Sequence, residues 1–247
     1  VSYPEATVLD GAAFDEIQAA AVAERKYVQF VGTLSISNNK YFNITLEGAD
    51  TAVGSIVKPN EDLSGLNGKE VIVKGYLMYV NGKYVYAVAT SVTLPPVTFD
   101  FSSKSFRENI GEALADTKGF VYNETFTADD VTLQITAGSA PSRIYVDNNR
   151  GQCLVLYTNY ATVTFNAPEG YAITGITFTA AGNSNINKFT ATSGTIEGMS
   201  WTGNATGVRF LQGATSYLAN AVVKLAPATE ETVALEPIEY AACDNIA

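Results

Sequence analysis

The stretch KYVQFVGTLSISNNKYFNITL, residues 26–46, indicates how the first half of the chain folds. Apolar and polar residues alternate through it with a period of two, which is typical of a β-strand with one buried face. Ser37-Asn38-Asn39 interrupts the alternation with residues that favour a tight turn. The predicted inward residues are Val28, Phe30, Leu34 and Ile36 before the turn, and Phe42, Ile44 and Leu46 after it. The stretch therefore predicts a β-hairpin.

Further strands around this hairpin predict a small barrel. Residues 54–57, 69–76 and 84–89 have strand composition, and Asn81-Gly82 predicts a tight hairpin between the last two segments. A glycine lies inside the first strand and inside the fourth, where the strands of a small barrel bend sharply. Five short strands in this arrangement predict an OB-like barrel in residues 1–96.

A short helix is expected before the first strand of the barrel. Phe14, Ile17 and Ala21 fall at helical spacing within residues 12–23, and Asp10 is placed to cap the helix N-terminus. We therefore include one amphipathic helix in the first module.

Leu94-Pro95-Pro96 predicts the boundary between two modules, because consecutive prolines cannot pair in a sheet and stiffen a linker. Beyond it, alternation recurs in short segments such as residues 131–136 and 144–146, which predicts a jelly-roll-like β-sandwich over residues 97–227. Phe106, Ile110 and Leu114 suggest a short helix at its start. Residues 228–247 resemble the lead segment of the barrel, so we expect them to form a tail or to lead into a further module. The predicted fold class is all-β, an OB-like five-stranded barrel followed by this sandwich.

Composition argues against several classes of protein. The chain has no histidine, the commonest general base near neutral pH and the commonest zinc ligand. Cys153 and Cys243 lie far apart in apolar surroundings, and we expect two unpaired thiols rather than a disulfide. The formal net charge is −10, which repels a nucleic-acid backbone on average. The prediction is a protein with no cofactor and no nucleic-acid partner.

Three segments of the second module carry a resemblance to a known group of proteins. They are SAPSRIYVDNNRGQCLVLY, ATVTFNAPEGYAITGITFTAAG and GMSWTGNATGVRFL. With the preceding barrel and proline linker, they resemble multi-domain surface lipoproteins and cell-adhesion proteins of Gram-negative gut anaerobes. The resemblance implies binding or spacer modules, an outer-membrane surface or secreted location, and no catalytic residue. It also implies a lipid anchor on an N-terminal segment that precedes Val1, and a cell-surface glycan or protein as partner.

The acidic residues offer two alternatives to this non-catalytic interpretation. Paired carboxylates serve glycosidases, and Asp129-Asp130, Asp147 and Glu169 are the candidates, although each lies where a turn is expected. Asp147 and Asn149 also provide oxygen ligands suited to Ca²⁺, but the same residues make a plain hairpin turn, which we prefer. The chain is therefore predicted not to be an enzyme.

Tyrosines are the candidate ligand-binding residues. If the apolar residues of the barrel strands point inward, Tyr41, Asn43, Tyr84 and Tyr86 point outward, and Tyr27 and Tyr76 are expected to join them. OB barrels bind oligomers across such a surface, where tyrosine stacks on sugar rings or bases, although tyrosine is also simply a favourable strand residue. We expect an adhesion or ligand-binding protein. The alternatives are a carbohydrate-binding accessory protein of a surface glycan-utilisation system and, less favoured, a single-strand nucleic-acid binder.

The lone tryptophan, Trp201, is expected to be a core or rim anchor.

Overall fold

The first module is an N-terminal helix with a set of β-strands. The structure, a computed structural model, describes residues 2–57, 59, 61–103, 106, 119–138, 140–157, 161–182 and 189–228. The elements of the first module are β1 (Thr7–Val8), α1 (Gly11–Ala20), β2 (Tyr27–Ser37), β3 (Tyr41–Thr45), β4 (Val53–Ile56), a 3-10 turn (Ser64–Leu66), β5 (Glu70–Asn81) and β6 (Tyr84–Thr93). With the strands of the second module given below, they confirm the predicted all-β class.

Strands β2 to β6 close into a five-stranded barrel. The strand order is β2-β3-β4-β6-β5, and β5 pairs again with β2 to complete the circle. β4 and β6 run parallel and the other pairs within the barrel are antiparallel. Strand β1 adds to β2 in parallel outside the closed ring. This is the OB-like barrel expected from the sequence.

Two glycines allow the barrel to close. β2 pairs with β5 along its first half and with β3 along its second half, and Gly32 lies where the partner changes. A Cβ atom at Gly32 would lie 2.3 Å from the carbonyl oxygen of Thr45, and one at Gly75 would lie 2.3 Å from that of Val88. Both positions therefore need glycine, because a neighbouring backbone passes too close for any side chain. These are the two glycines at which the sequence predicted sharp bends of the strands.

Helix α1 closes one end of the barrel. The Asp10 carboxylate accepts a hydrogen bond from the Ala13 amide at 2.9 Å, so the predicted N-cap is confirmed. The helix ends earlier than predicted, because Ala21 adopts a left-handed conformation with φ of 54°. Phe14 is fully buried, and its ring centroid lies 4.8 Å from that of Phe30 in the barrel core. The helix is therefore part of the barrel's hydrophobic core.

A carboxylate that sequence reasoning did not single out anchors this helix. Asp15 accepts backbone hydrogen bonds from Asp50 at 2.6 Å, Thr51 at 3.0 Å and Ala52 at 2.7 Å, all in the loop between β3 and β4. These donors lower the pKa of the Asp15 carboxyl to about 2, because they stabilise its charged form. Asp15 thus fastens the helix to the loop.

The second module is a sandwich of two sheets. Its strands are β7 (Val97–Asp100), β8 (Phe120–Val121), β9 (Asn123–Ala128), β10 (Val131–Thr136), β11 (Ser142–Asp147), β12 (Gly151–Leu156), β13 (Thr162–Asn166), β14 (Tyr171–Ala180), β15 (Phe189–Ala191), β16 (Thr195–Glu197), β17 (Ser200–Ala205), β18 (Gly207–Gln212) and β19 (Ser216–Pro227). One sheet has the order β15-β18-β13-β10-β9. The other has the order β16-β17-β14-β19-β12-β11-β8, with β7 also paired to β19.

Aromatic side chains from both sheets meet in the sandwich core. The Phe178 ring centroid in one sheet lies 5.1 Å from that of Phe210 in the other, and Phe165 lies 5.7 Å from Phe99. Trp201 is 1% exposed, and its indole nitrogen donates to the Ser193 carbonyl at 2.6 Å. The tryptophan is therefore a core residue, one of the two roles expected for it.

Among the described residues, the two modules have separate cores and meet at a seam. Buried apolar residues up to Val92 form one cluster, and another begins at Val97, on the far side of the two prolines. At the seam the Tyr171 hydroxyl donates to the Gly65 carbonyl at 3.0 Å. The module limits at residues 96 and 227 stay predictions. The expected helix near Phe106 and the tail 228–247, with Cys243, lie almost wholly outside the described residues.

Candidate functional site

The outer face of β3, β4, β6 and β5 is the candidate ligand-binding surface. One register row crosses these strands in the order Asn43, Ser55, Tyr86, Tyr79. Ile44 and Val85, their neighbours along the strands, are fully buried in the barrel core. Because successive strand residues face opposite sides, the row lies on the outside of the barrel.

Four tyrosines gather on this face, and we call them the tyrosine platform: Tyr41, Tyr79, Tyr84 and Tyr86. The Tyr79 and Tyr86 rings stack, with centroids 4.4 Å apart and planes 15° apart. Tyr84 lies 6.2 Å from Tyr86. Burial, followed by the phenol groups of Tyr79, Tyr84 and Tyr41, raises the pKa of the Tyr86 hydroxyl. Three predicted site tyrosines therefore lie together, with Tyr86 at the centre of the group.

Tyr79 is the platform residue that the sequence analysis missed. Val71, Val73 and Leu77 are buried, so strict alternation would turn Tyr79 inward as well. The register between β5 and β6 shifts between Leu77 and Tyr79, which marks a β-bulge at Met78. The extra residue turns Tyr79 outward, where it is 48% exposed. No local sequence pattern predicts this bulge, and it is seen only in the pairing of β5 with β6.

Asn43 lies on the platform side as predicted. It is half-buried and pairs with Ser35 on one side and with Ser55 on the other. Ser55 is 5% exposed although it faces outward, so neighbouring side chains cover it. The Asn43 amide thus lies in the register row of Tyr86 and Tyr79, with both donor and acceptor capacity.

Tyr27 and Tyr76 form a second aromatic group where β2 meets β5. Tyr27 stacks on Tyr3, with ring centroids 5.4 Å apart and planes 7° apart. The Tyr76 ring centroid lies 4.9 Å from that of Tyr27, and the two rings are tilted relative to each other. The Tyr27 hydroxyl also shares a hydrogen bond with Thr90 at 2.8 Å. The Tyr27 ring is therefore engaged by other aromatic residues, and a ligand-binding role for Tyr27 and Tyr76 stays a prediction.

Asp147 and Asn149, the suggested calcium ligands, form a hairpin turn between β11 and β12. One Asp147 oxygen accepts from the Asn149 amide at 2.9 Å and from the Arg150 guanidinium at 3.2 Å, and the other accepts from the Tyr145 hydroxyl at 3.1 Å. These donors hold the pKa of the Asp147 carboxyl below its usual value, the Asn149 amide contributing most. Within the described ranges, no group of three or more acidic, histidine or cysteine side chains is placed to hold a metal ion. Calcium binding at this turn stays a prediction.

Other carboxylates from the sequence analysis meet at the seam between the modules. Asp129, Asp130 and Glu169 line an open cleft of about 580 Å³, together with Lys69 and Tyr171. Asp129 and Asp130 occupy the turn between β9 and β10 with φ of 44° and 64°, and Glu169 lies in the turn before β14. All three therefore have the turn positions expected of them, and the absence of catalysis stays a prediction.

At the platform the described residues present aromatic rings and the Asn43 amide. No helix in the described part of the chain is long and apolar enough to cross a membrane.

Comparisons with protein families, with curated proteins and with solved structures found no match to this chain.

Proposed function

We propose that this chain is a non-catalytic ligand-binding protein of the cell surface that binds carbohydrate on the tyrosine platform. One observation carries the proposal: four tyrosines share the outer face of an OB-like barrel, two of them stacked at 4.4 Å. The face lies between the turns at residues 38–40 and 82–83, and OB barrels bind oligosaccharides and oligonucleotides between the equivalent loops.

The platform suits sugar rings because it presents flat apolar surface beside polar edges. Tyr41 and Tyr79 are 50% and 48% exposed, so much of each ring is accessible to a ligand. The phenol hydroxyls and the Asn43 amide can exchange hydrogen bonds with sugar hydroxyls. Tyrosine loses little conformational entropy on binding, because its side chain has only two rotatable bonds.

Cell-surface attachment and a role in adhesion rest on the resemblance described above. A partner of either kind, glycan or protein, is compatible with an outward aromatic face, and aromatic residues are enriched at protein interfaces as well. We favour glycan because the platform combines aromatic rings with an amide and hydroxyls on a regular sheet. An accessory role in a surface glycan-utilisation system would use the same face.

Nucleic acid is the less favoured ligand for this face. Single-strand binders combine aromatic stacking with a positively charged groove. Here the chain carries a net charge of −10, and the four strands of the face contain no Arg and one Lys, Lys74 of β5. A phosphate backbone carries a charge at every nucleotide, and it would therefore meet no continuous row of cations along the sheet.

The test is a glycan array probed with the full chain, followed by calorimetry on the best-bound glycan. Replacing Tyr41 and Tyr84 by alanine should weaken binding about fivefold or more, since losing an aromatic stack costs roughly 1 kcal/mol. Tyr122→Ala is the matched control, because this tyrosine is 57% exposed on the sandwich. It should leave the affinity unchanged.

Three results would contradict the proposal. Binding of no glycan on the array would refute carbohydrate recognition. Unfolding of the Tyr41→Ala/Tyr84→Ala variant would show that these tyrosines support the barrel rather than a ligand. Cleavage of the glycan during the assay would refute the non-catalytic assignment.

A further inference from the structure

We propose that the glycan bound by the tyrosine platform is an acidic oligosaccharide whose carboxylate groups are bound by Lys40 and Lys83. This inference rests on the proposed function and adds the chemical class of the ligand. It is carried by the positions of two lysines at opposite corners of the platform.

Each lysine lies against a platform tyrosine. The Lys40 ammonium is 5.4 Å from the ring centroid of Tyr41, and the Lys83 ammonium is 5.5 Å from that of Tyr84. Both distances fall within the range of about 6 Å over which a cation is attracted to an aromatic face. The two charges are therefore held beside the rings on which a sugar would stack.

Tight turns fix the backbone from which both lysines project. Asn38 and Asn39 adopt φ of 54° and 51°, and the Lys40 amide donates to the Ser37 carbonyl at 3.1 Å. At the other corner the Lys83 carbonyl accepts from the Val53 amide at 2.9 Å. Because the turns are short and hydrogen-bonded, the side chains start from fixed points at the platform edge.

The platform itself offers no other charge. In residues 38–45, 53–56 and 77–93, which the structure describes throughout and which include the part of β5 that carries Tyr79, Lys40 and Lys83 are the only charged side chains. The whole chain carries 25 acidic residues, yet none lies in these segments. Neither ammonium forms an ion pair with a carboxylate of the described residues. The surface is thus a neutral face with a cation at two corners, which complements a sugar chain whose only charges are its carboxylates.

Carboxylates do occur to one side of Lys40. Glu61 and Asp62 line a separate cleft of about 350 Å³ that Lys40 also borders. Like charges disfavour an anionic ligand in that cleft. An acidic glycan is therefore directed across the tyrosines instead.

The separation of Tyr41 and Tyr84, the two rings that the lysines contact, indicates an oligosaccharide rather than a monosaccharide. Tyr41 and Tyr84 lie two residues to either side of the Asn43–Tyr86 row, which places them about 13 Å apart along the strands. They also lie on strands separated by β4, which adds about 9–10 Å across the sheet. A single sugar ring cannot reach both corners, whereas a short chain can.

The test uses the full chain and an array of three tetrasaccharides that contain galacturonate, mannuronate or glucuronate. Each is placed beside its carboxyl-reduced, neutral form, and a thymidine oligonucleotide serves as a polyanion without sugar-ring carboxylates. We expect tighter binding of at least one acidic form than of its neutral form in low salt. The preference should shrink as salt rises, because exposed charges are screened.

Charge-removing variants then assign the preference to the two lysines. Replacing both by glutamine (Lys40→Gln and Lys83→Gln) should weaken binding of the acidic form roughly fivefold to twentyfold, since an exposed ion pair changes affinity up to about fivefold. Binding of the neutral form should stay within twofold. Lys224→Gln is the matched control, because Lys224 is exposed on the sandwich and its loss should change neither affinity.

The outcomes separate this inference from the proposed function. Neutral forms bound as tightly as acidic ones, or a preference that survives in the double variant, would overturn the inference and leave carbohydrate binding intact. Tighter binding of the oligonucleotide than of every saccharide would overturn both.

Discussion

Removing the Phe14 side chain tests whether the barrel and the sandwich unfold independently. Phe14 is fully buried, and its ring packs 4.8 Å from Phe30, so Phe14→Ala leaves a cavity at the barrel end. Phe→Ala substitutions in a core cost about 3–5 kcal/mol. Helix α1 has ten residues, too few to be stable without this packing.

The expected size of the effect follows from the length of the module. For a domain of this size, each kcal/mol shifts the melting temperature by about 4–8 °C, so Phe14→Ala should lower the barrel transition by roughly 12 °C or more. The sandwich transition should stay where it is, because Phe14 belongs to the barrel cluster and not to the sandwich cluster.

The chain provides its own reporter for this experiment. Trp201 is the only tryptophan and is buried in the sandwich core, so fluorescence excited at its absorption edge follows the sandwich alone. Calorimetry follows both modules. Phe99→Ala is the matched control, because Phe99 is 1% exposed in the sandwich core and its loss should move the Trp201 transition instead.

A Trp201 transition that falls together with the barrel transition in Phe14→Ala would refute the reasoning. It would mean that the seam around Tyr171 and Gly65 couples the two cores into one cooperative unit. The module boundary at the two prolines would then be wrong as a folding boundary.

Three further predictions concern single residues. Asp15→Asn should lower the melting temperature by several degrees at pH 7. Because the folded-state pKa of about 2 lies below the ordinary 3.8, the difference in melting temperature between the variant and the original protein should vanish as pH falls from about 4 to 2. A difference that does not change with pH would contradict the anchor role. Burial raises the pKa of the Cys153 thiol to about 11, so this thiol should resist iodoacetamide at pH 8 in the native protein. In denatured protein that has not been reduced, mass spectrometry should show alkylation of both cysteines. A Cys153–Cys243 disulfide would contradict this prediction. Gly32→Ala should lower the free energy of unfolding by about 1–3 kcal/mol in urea titrations. Gly175→Ala, whose added Cβ meets nothing closer than 3.6 Å, should lower it much less. Equal losses in the two variants would refute the close-approach argument.

Much of the fold could be predicted from the sequence because the signals are local. Alternation marks a strand with one buried face, and Asn38-Asn39 and Asp129-Asp130 adopt the left-handed turn conformations that their side chains tolerate. Gly32 and Gly75 lie where the barrel strands bend, and Asp10 caps the helix. The alternation, the turns and the cap depend on a residue and its immediate neighbours, whereas the glycines mark the bends but the close backbone approaches at them come from strand pairing.

The candidate site was only partly accessible in this way. Tyr41, Tyr84 and Tyr86 were assigned to the outer face by alternation, and the structure places them together with Tyr79. Tyr27 instead stacks on Tyr3 at the other side of β5, a contact between segments that are far apart in the sequence.

Tertiary structure decided what depends on partners distant in the chain. The parallel pairing of β4 with β6 brings Ser55 beside Tyr86, and the bulge at Met78 is visible only in the pairing of β5 with β6. Asp15 finds its three backbone donors in a loop more than thirty residues away. The sequence by itself determined the strands, the turns and the helix cap, because those are local preferences of the backbone. Barrel closure determined which outward side chains meet, because it sets the register between strands that are not neighbours in sequence.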